Sequence, residues 1–316
     1  MRILFMSDLL AFYEEDLKRS LSELGLPSPT LSNEIAEKVD EVEFIIYSPV
    51  QASDGTTVER DFSSYKNLRA VLSLYAGVEN LTKNPTLNCP VVKMVDEGLT
   101  RGMVEWCVAH TLRIHLGIDR HILGQDGTWR KNIKPLLARD RKVGILGLGS
   151  LGQPTANALN LLGFEVHGWS RSKKKLGEIC CYYGDDGFKK ILAACEILII
   201  LLPLTEETFH IINFKTLSYM PKSAAIINAG RGGLINDKAL LESLKAGHLA
   251  HATLDVFSEE PLPPTHPYWL HPKVTVTPHI AADTVIETSS RSIAKNIQLI
   301  SQGNTPLGLV DITRGY

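Results

Sequence analysis

At 316 residues, with 44% hydrophobic and 22% charged residues, the chain has an ordinary globular composition and is too long for one ordinary core, so two domains are expected. Its 33 Lys and Arg against 35 Asp and Glu leave a net charge of −2, which argues against a general role on nucleic acid or on an anionic membrane. The strongest apolar run, Ile197 to Leu202, is far short of the roughly 20 residues of a membrane span, and an N-terminus carrying Glu14, Glu15 and Asp16 lacks the pattern of a secretory signal, so a cytoplasmic protein is expected.

Arg2 to Met6, Val42 to Tyr47, Ala70 to Leu74 and Val91 to Val95 read as strands and Glu14 to Leu24 as a helix, a small α/β domain. From Thr100, a candidate cap, Met103, Cys107, His110 and Ile114 mark one face of a helix leading into the second domain. His110 and His115 on that helix read as packing or surface residues rather than ligands. Trp129 reads as either an interface anchor or a lid residue. Cys89, Cys107, Cys180, Cys181 and Cys195 show no paired spacing, so free thiols in a reducing compartment are expected, and no Cys, His and acidic cluster has zinc spacing.

The stretch Arg141 to Gly152 combines a short apolar run with Gly147-x-Gly149-x-x-Gly152, the pattern of a buried strand turning into a helix at a pyrophosphate. Gly147 suits the tight turn, Gly149 lets backbone approach phosphate, and Gly152 lets the helix pack on its strand. Ser150 and Leu151 open that helix, where free N–H groups and the helix dipole favour an anion. Leu151, Thr155, Ala158, Leu159 and Leu162 then recur at helical spacing, Gly163 ends the helix, and Phe164 to Trp169 suits the next strand.

The alternation continues with strands at Glu196 to Leu202, Ala224 to Asn228, Ala252 to Asp255 and Val274 to Val276, and helices at Phe214 to Met220 and Asp237 to Ala246. Such repetition implies an α/β fold of two domains: a Rossmann-type doubly wound parallel sheet and a smaller flavodoxin-like α/β substrate domain, with a cleft between them. A final helix, capped by Asp283 or Thr284 and stopping at Gly303, is expected to return to the first domain. Residues 1–99 and 285–316 would then form a discontinuous substrate-binding domain and residues 100–284 the dinucleotide-binding domain, with two crossings serving as a hinge.

An Asp or Glu at the end of the second nucleotide-domain strand would bind both ribose hydroxyls and repel a 2′-phosphate. Here Ser170 stands 18 residues after Gly152, followed by Arg171, Ser172 and Lys173. Ser170 removes the repulsion, Arg171 can pair with phosphate, and Ser172 and Lys173 add donors. NADP(H) is therefore expected as the preferred cofactor, with NAD(H) as the second.

Three strand ends carry groups suited to carbonyl reduction: Asn228-Ala229-Gly230-Arg231-Gly232, Leu254-Asp255-Val256-Phe257 with Glu260-Pro261-Leu262-Pro263, and Thr277-Pro278-His279. Reducing a 2-keto acid needs a cation to orient carboxylate and carbonyl, a proton donor for the developing alkoxide, and a carboxylate to hold that donor protonated. With the glycine motif and the Trp169-Ser170-Arg171-Ser172 stretch, these motifs resemble the D-isomer-specific 2-hydroxyacid dehydrogenases, and within them the glyoxylate/hydroxypyruvate reductases. The resemblance runs from the first strand to Arg314-Gly315-Tyr316 and covers essentially the whole chain.

It implies that Arg231 binds substrate carboxylate and carbonyl, that His279 is the general acid paired with Glu260, and that Asp255 lies near the nicotinamide amide. It also implies that Tyr75, Ala76, Gly77 and Val78 offer backbone N–H groups to the carboxylate. Tyr47 stands where this subgroup often has Trp, which bears on pocket size. The implied reaction is NADPH-dependent reduction of glyoxylate and hydroxypyruvate to glycolate and D-glycerate by a homodimer. A bulkier 2-keto acid and a nucleotide-sensing corepressor are the alternatives.

Overall fold

The computed structural model describes residues 1–33, 39–49, 58, 60–129, 131 and 134–316. They form two compact units, Met1–Leu99 with Asp283–Tyr316, and Thr100–Ala282.

The first unit is built on strands β1 (Arg2–Met6), β2 (Thr30–Ser32), β3 (Val42–Tyr47), β4 (Ala70–Ser73) and β5 (Val91–Val92). They pair in parallel in the order β2-β1-β3-β4-β5, the flavodoxin-like arrangement. The three middle strands are almost wholly buried, which is why they read as unbroken apolar runs rather than as alternation. The helix Leu10–Glu23 buries Tyr13, Leu17 and Leu21, four residues apart, and packs on the terminal helix Ile286–Ser301. The Ser289 hydroxyl joins the two helices by donating to the Tyr13 oxygen at 3.0 Å.

Two expected caps do not form. The helix Glu97–Leu116 starts ahead of Thr100, and the Asp96 carboxylate accepts from the N–H groups of Gly98 and Leu99 at 3.1 and 3.3 Å. An acid before a helix satisfies donors that a threonine inside it cannot. At the terminal helix neither Asp283 nor Thr284 caps: the helix follows Val285 without a side-chain cap, and the Thr284 hydroxyl instead donates to the Leu74 carbonyl at 2.8 Å.

The second unit carries β6 (Lys142–Leu146), β7 (Glu165–Ser170), β8 (Cys180–Tyr183), β9 (Ile197–Ile200), β10 (Ala224–Asn228), β11 (Leu249–Leu254) and β12 (Val274–Val276). All are parallel, in the order β12-β11-β10-β9-β6-β7-β8. The sheet winds outward in both directions from β6 and β9, so a crevice forms beyond their carboxyl ends, where such sheets receive ligands. Every residue of β9 and β10 is buried, so the centre of the sheet is also the centre of the core.

The two imidazoles of the Glu97–Leu116 helix pack as expected. His110 lies against Trp106 with ring centroids 4.3 Å apart, and His115 meets Phe164 edge-on at 4.9 Å. All five cysteines are unpaired. Among the described residues no helix is long and apolar enough to cross a membrane, and no group of three or more His, Cys, Asp and Glu side chains could hold a metal ion.

Candidate active site

The glycine turn follows β6 directly. Gly147 has φ +101°, and a Cβ there would lie 2.5 Å from the Leu201 carbonyl oxygen; a Cβ at Gly152 would lie 1.8 Å from the Gly147 oxygen. Only glycine lets the turn close on β9 and the helix Gly152–Leu161 close on the turn. Gly149 is different, because a Cβ there would meet nothing within 4 Å. Its missing side chain is not needed for protein packing, and it leaves open space over the backbone at the helix start. The first helical bond there, from the Gln153 N–H to the Gly149 carbonyl at 3.1 Å, leaves the N–H groups of Ser150, Leu151 and Gly152 ahead of the ladder. This geometry fits the pyrophosphate of a dinucleotide.

Beyond β7, Ser170 is buried and its hydroxyl donates to the Ser172 carbonyl at 2.8 Å, which folds the following loop back on itself. Arg171, Ser172 and Lys173 are exposed at that strand end. Lys174, which the motif reading passed over, donates to the Leu148 carbonyl at 2.5 Å, where Gln153 donates too at 2.9 Å. The basic loop is thereby fastened to the glycine turn.

At the ends of β10, β11 and β12 the structure brings Arg231, Glu260, His279 and Asp255 into one neighbourhood of the second unit. His279 Nδ1 lies 2.7 Å from Glu260 Oε2, and the other Glu260 oxygen accepts from the Phe257 N–H at 2.8 Å. The hydrogen bond to Glu260 outweighs burial and raises the His279 pKa above its ordinary value. Burial alone would raise the Glu260 carboxyl, but the bonds from His279 and Phe257, with the charges of His279 and Arg231, bring it below the usual range. The pair thus favours an imidazolium held by a carboxylate. The Arg231 guanidinium is braced by its Nη1 donating to the Gly230 carbonyl at 2.8 Å, and Asn228 donates to the Arg231 carbonyl at 3.0 Å.

His279 has φ +56°, a left-handed conformation that costs a side chain of this size about 1 kcal/mol or more. It persists because the His279 N–H donates to the Asp255 and Thr277 carbonyls at 2.9 and 3.0 Å. Asp255 supplies the rest of the frame. Its carboxylate, in a residue only 1% exposed, accepts from the Thr277 hydroxyl at 2.6 Å and from the Ile280 and Ala281 N–H groups at 2.9 and 2.8 Å. The family resemblance sets Asp255 near the nicotinamide amide; in the structure its carboxylate is engaged by the loop that carries His279.

Gly232, quoted in the sequence motif without a role, decides how β10 and β11 end. A Cβ there would sit 1.8 Å from the Phe257 carbonyl carbon and 2.2 Å from its oxygen. Backbone of the Arg231 loop therefore touches backbone of the loop leading to Glu260.

The remaining candidates lie in the first unit. Tyr75 to Val78 follow β4; the Tyr75 N–H donates to the Ser73 hydroxyl at 3.1 Å, and the Tyr75 carbonyl accepts from Met94 at 3.0 Å. The Tyr75 donor is thus already used, and Ala76, Gly77 and Val78 complete the loop. Tyr47 is 5% exposed and packs edge-on against Phe62, with ring centroids 6.3 Å apart, in the core of that unit. This placement gives its ring a packing role that the sequence pattern did not reveal.

A doubly wound sheet with a glycine turn at its switch point and an Arg, a Glu–His pair and a buried Asp at neighbouring strand ends defines a nucleotide-dependent oxidoreductase. Residues 107–281 match the family model described as the D-isomer specific 2-hydroxyacid dehydrogenase, NAD binding domain. The chain is 37% identical over 279 residues to glyoxylate/hydroxypyruvate reductase A of Yersinia enterocolitica, covering 86% of this chain and 87% of that one. It is 38% identical over 257 residues to the Serratia proteamaculans protein of the same name, covering 79% and 82%. Among solved structures, a D-isomer specific 2-hydroxyacid dehydrogenase from Xanthobacter autotrophicus in complex with NADPH and MES superposes with a TM-score of 0.89 at 32% identity, covering 100% of this chain and 99% of that one. An NADPH-dependent glyoxylate/hydroxypyruvate reductase from Sinorhizobium meliloti in complex with NADP and sulfate gives 0.84 at 30% identity, with the same coverage. The chain belongs to the D-isomer-specific 2-hydroxyacid dehydrogenase family and is an NAD(P)-dependent enzyme.

Proposed function

We propose that the protein reduces glyoxylate to glycolate and hydroxypyruvate to D-glycerate, with NADPH as preferred cofactor and NADH as the second. The observation that carries this is the His279–Glu260 contact of 2.7 Å beside Arg231, a proton donor, its holder and a cation on adjoining strand ends. The names of the Yersinia and Serratia relatives support the choice of substrates, and the ligands of the two solved relatives support the cofactor.

Gly147, Gly149, Ser150, Leu151 and Gly152 would hold the pyrophosphate, and Ser170, Arg171, Ser172 and Lys173 the adenosine end. When bound, the reduced nicotinamide supplies the hydride. Arg231 orients the substrate carboxylate and carbonyl, and its charge stabilises the oxygen as negative charge develops. His279 gives the proton on Nε2 to that oxygen, while Glu260 keeps Nδ1 protonated and the ring in place. Asp255 acts through the loop, by holding His279 at the required backbone angle. A homodimer in the cytoplasm completes the proposal. The exposed apolar side chains Ile122, Leu123 and Leu161 on the second unit support the dimer, and the unpaired cysteines support the compartment.

Steady-state rates with glyoxylate, hydroxypyruvate, pyruvate and phenylpyruvate, each with NADPH and NADH, test the assignment. The first two substrates with NADPH are expected to give the highest kcat/KM, and a clear preference for phenylpyruvate would overturn the substrate choice. Arg171→Ala is expected to raise the KM for NADPH about tenfold or more, the scale of a lost charged hydrogen bond, and that for NADH much less. Equal effects would remove Arg171 from cofactor selection.

The pH profile checks the acid. Because reduction needs protonated His279 and its pKa is raised, kcat/KM should hold past the ordinary histidine pKa and then fall as pH rises. Glu260→Gln removes the main cause of the raised value, so the falling limb should move to lower pH. A limb that stays in place would show that another group titrates.

A further inference from the structure

Arg171 already faces an acid. Its Nη1 lies 3.6 Å from Glu207 Oε2, and the Glu207 side chain is 75% exposed, so the carboxylate stands free to meet any anion that approaches the arginine. The two residues come from strand ends that are not neighbours, since β6 lies between β7 and β9. Glu207 reaches the basic loop from the turn that follows β9.

That turn is cross-braced. The Thr205 N–H donates to the Thr208 hydroxyl at 2.8 Å, the Thr208 hydroxyl to the Pro203 carbonyl at 2.7 Å, and the Phe209 N–H to the Thr205 carbonyl at 2.9 Å. The next residue, His210, is held at φ +49° with its N–H donating to the Gly233 carbonyl at 2.8 Å. The turn therefore presents Glu207 from a defined backbone to the arginine at the end of β7.

A ribose 2′-phosphate monoester carries about −1.5 to −2 charges near neutral pH. Glu207 can act on its binding in two opposite ways. By pairing with Arg171 it can hold the guanidinium ready, which favours the phosphate; by its own charge it repels the phosphate and competes for the same cation. An exposed pair beyond hydrogen-bond distance holds its partners only weakly, whereas the phosphate brings nearly two like charges up to the carboxylate. Repulsion therefore dominates.

We infer that Glu207 is a specificity-determining residue that competes with the cofactor 2′-phosphate for Arg171 and so moderates the preference for the phosphorylated nucleotide. The inference rests on the proposed role of Arg171, and its test separates the two.

The intact protein, with Glu207→Gln, Glu207→Lys and Arg171→Ala variants, is titrated with 2′,5′-ADP and with 5′-AMP at low and high ionic strength. Glu207→Gln should tighten 2′,5′-ADP binding about threefold to fivefold at low salt, the scale set by an exposed charge pair, while 5′-AMP shifts less than about twofold. The gain should be larger in Glu207→Lys and should shrink at high salt. Unchanged or weaker 2′,5′-ADP binding in both Glu207 variants would overturn the inference. If Arg171→Ala still lowers the preference for 2′,5′-ADP over 5′-AMP in that case, only the role of Glu207 falls. If Arg171→Ala leaves the preference intact, the proposed role of Arg171 falls with it.

Discussion

His279→Asn is expected to lower kcat/KM for glyoxylate and hydroxypyruvate by about 10²–10⁴, the usual contribution of a positioned proton donor. Asparagine is the informative substitution because the position has φ +56°, a region that Asn adopts more readily than most residues. The loop can then keep its bonds to Asp255 while losing the only group on it that can release a proton near neutral pH. The side chain is 52% exposed, so its removal leaves no cavity, and stability should change little. Binding of 2′,5′-ADP should be retained, since His279 is not assigned to the adenosine end. Activity within a few-fold of wild type would remove His279 from the mechanism.

Gly232→Ala should act in a different way, through geometry. The added methyl would overlap the Phe257 carbonyl carbon at 1.8 Å and the Ser258 nitrogen at 2.2 Å, and both are backbone atoms that cannot swing aside. The loops ending β10 and β11 must separate, which carries Arg231 away from Glu260 and His279. Overpacking of this kind costs about 3 kcal/mol or more when backbone has to move. The expected result is a Tm lowered by several degrees together with a large loss of kcat, measured by thermal unfolding and by the hydroxypyruvate assay. A variant with wild-type Tm and rate would show that the two loops are not packed as described.

Much of the fold was legible because it depends on neighbours in the chain. β1, β3, β10 and β12 begin and end where their apolar runs do. Thr30–Ser32 and Cys180–Tyr183 escaped notice because both are short edge strands with no fully buried residue. Asp96 was passed over as a cap because the apolar periodicity starts only at Met103, well inside the helix it begins.

At the site, the motifs pointed to Arg231, Glu260 and His279, and the structure sets them side by side. The framework around them was not legible. Thr277 appeared only as a companion of His279, yet it binds Asp255; Lys174 was passed over, yet it donates to the Leu148 carbonyl beside Gln153. A search for polar side chains flanking each motif would have nominated both without assigning either a partner.

The sequence by itself determined the alternation of strands and helices, the glycine turn after β6, the absence of an acid at the end of β7, and the kinds of group at the ends of β10, β11 and β12. Each of these is a property of residues close together in the chain, where periodicity and backbone freedom act directly. Only the tertiary structure decided that Asp255 holds the His279 loop, that Gly232 lets two loops touch, that Tyr47 belongs to a core, and that Glu207 faces Arg171. Those contacts join segments from different strand ends or loops, and their existence depends on how closely backbones approach once the sheets have formed.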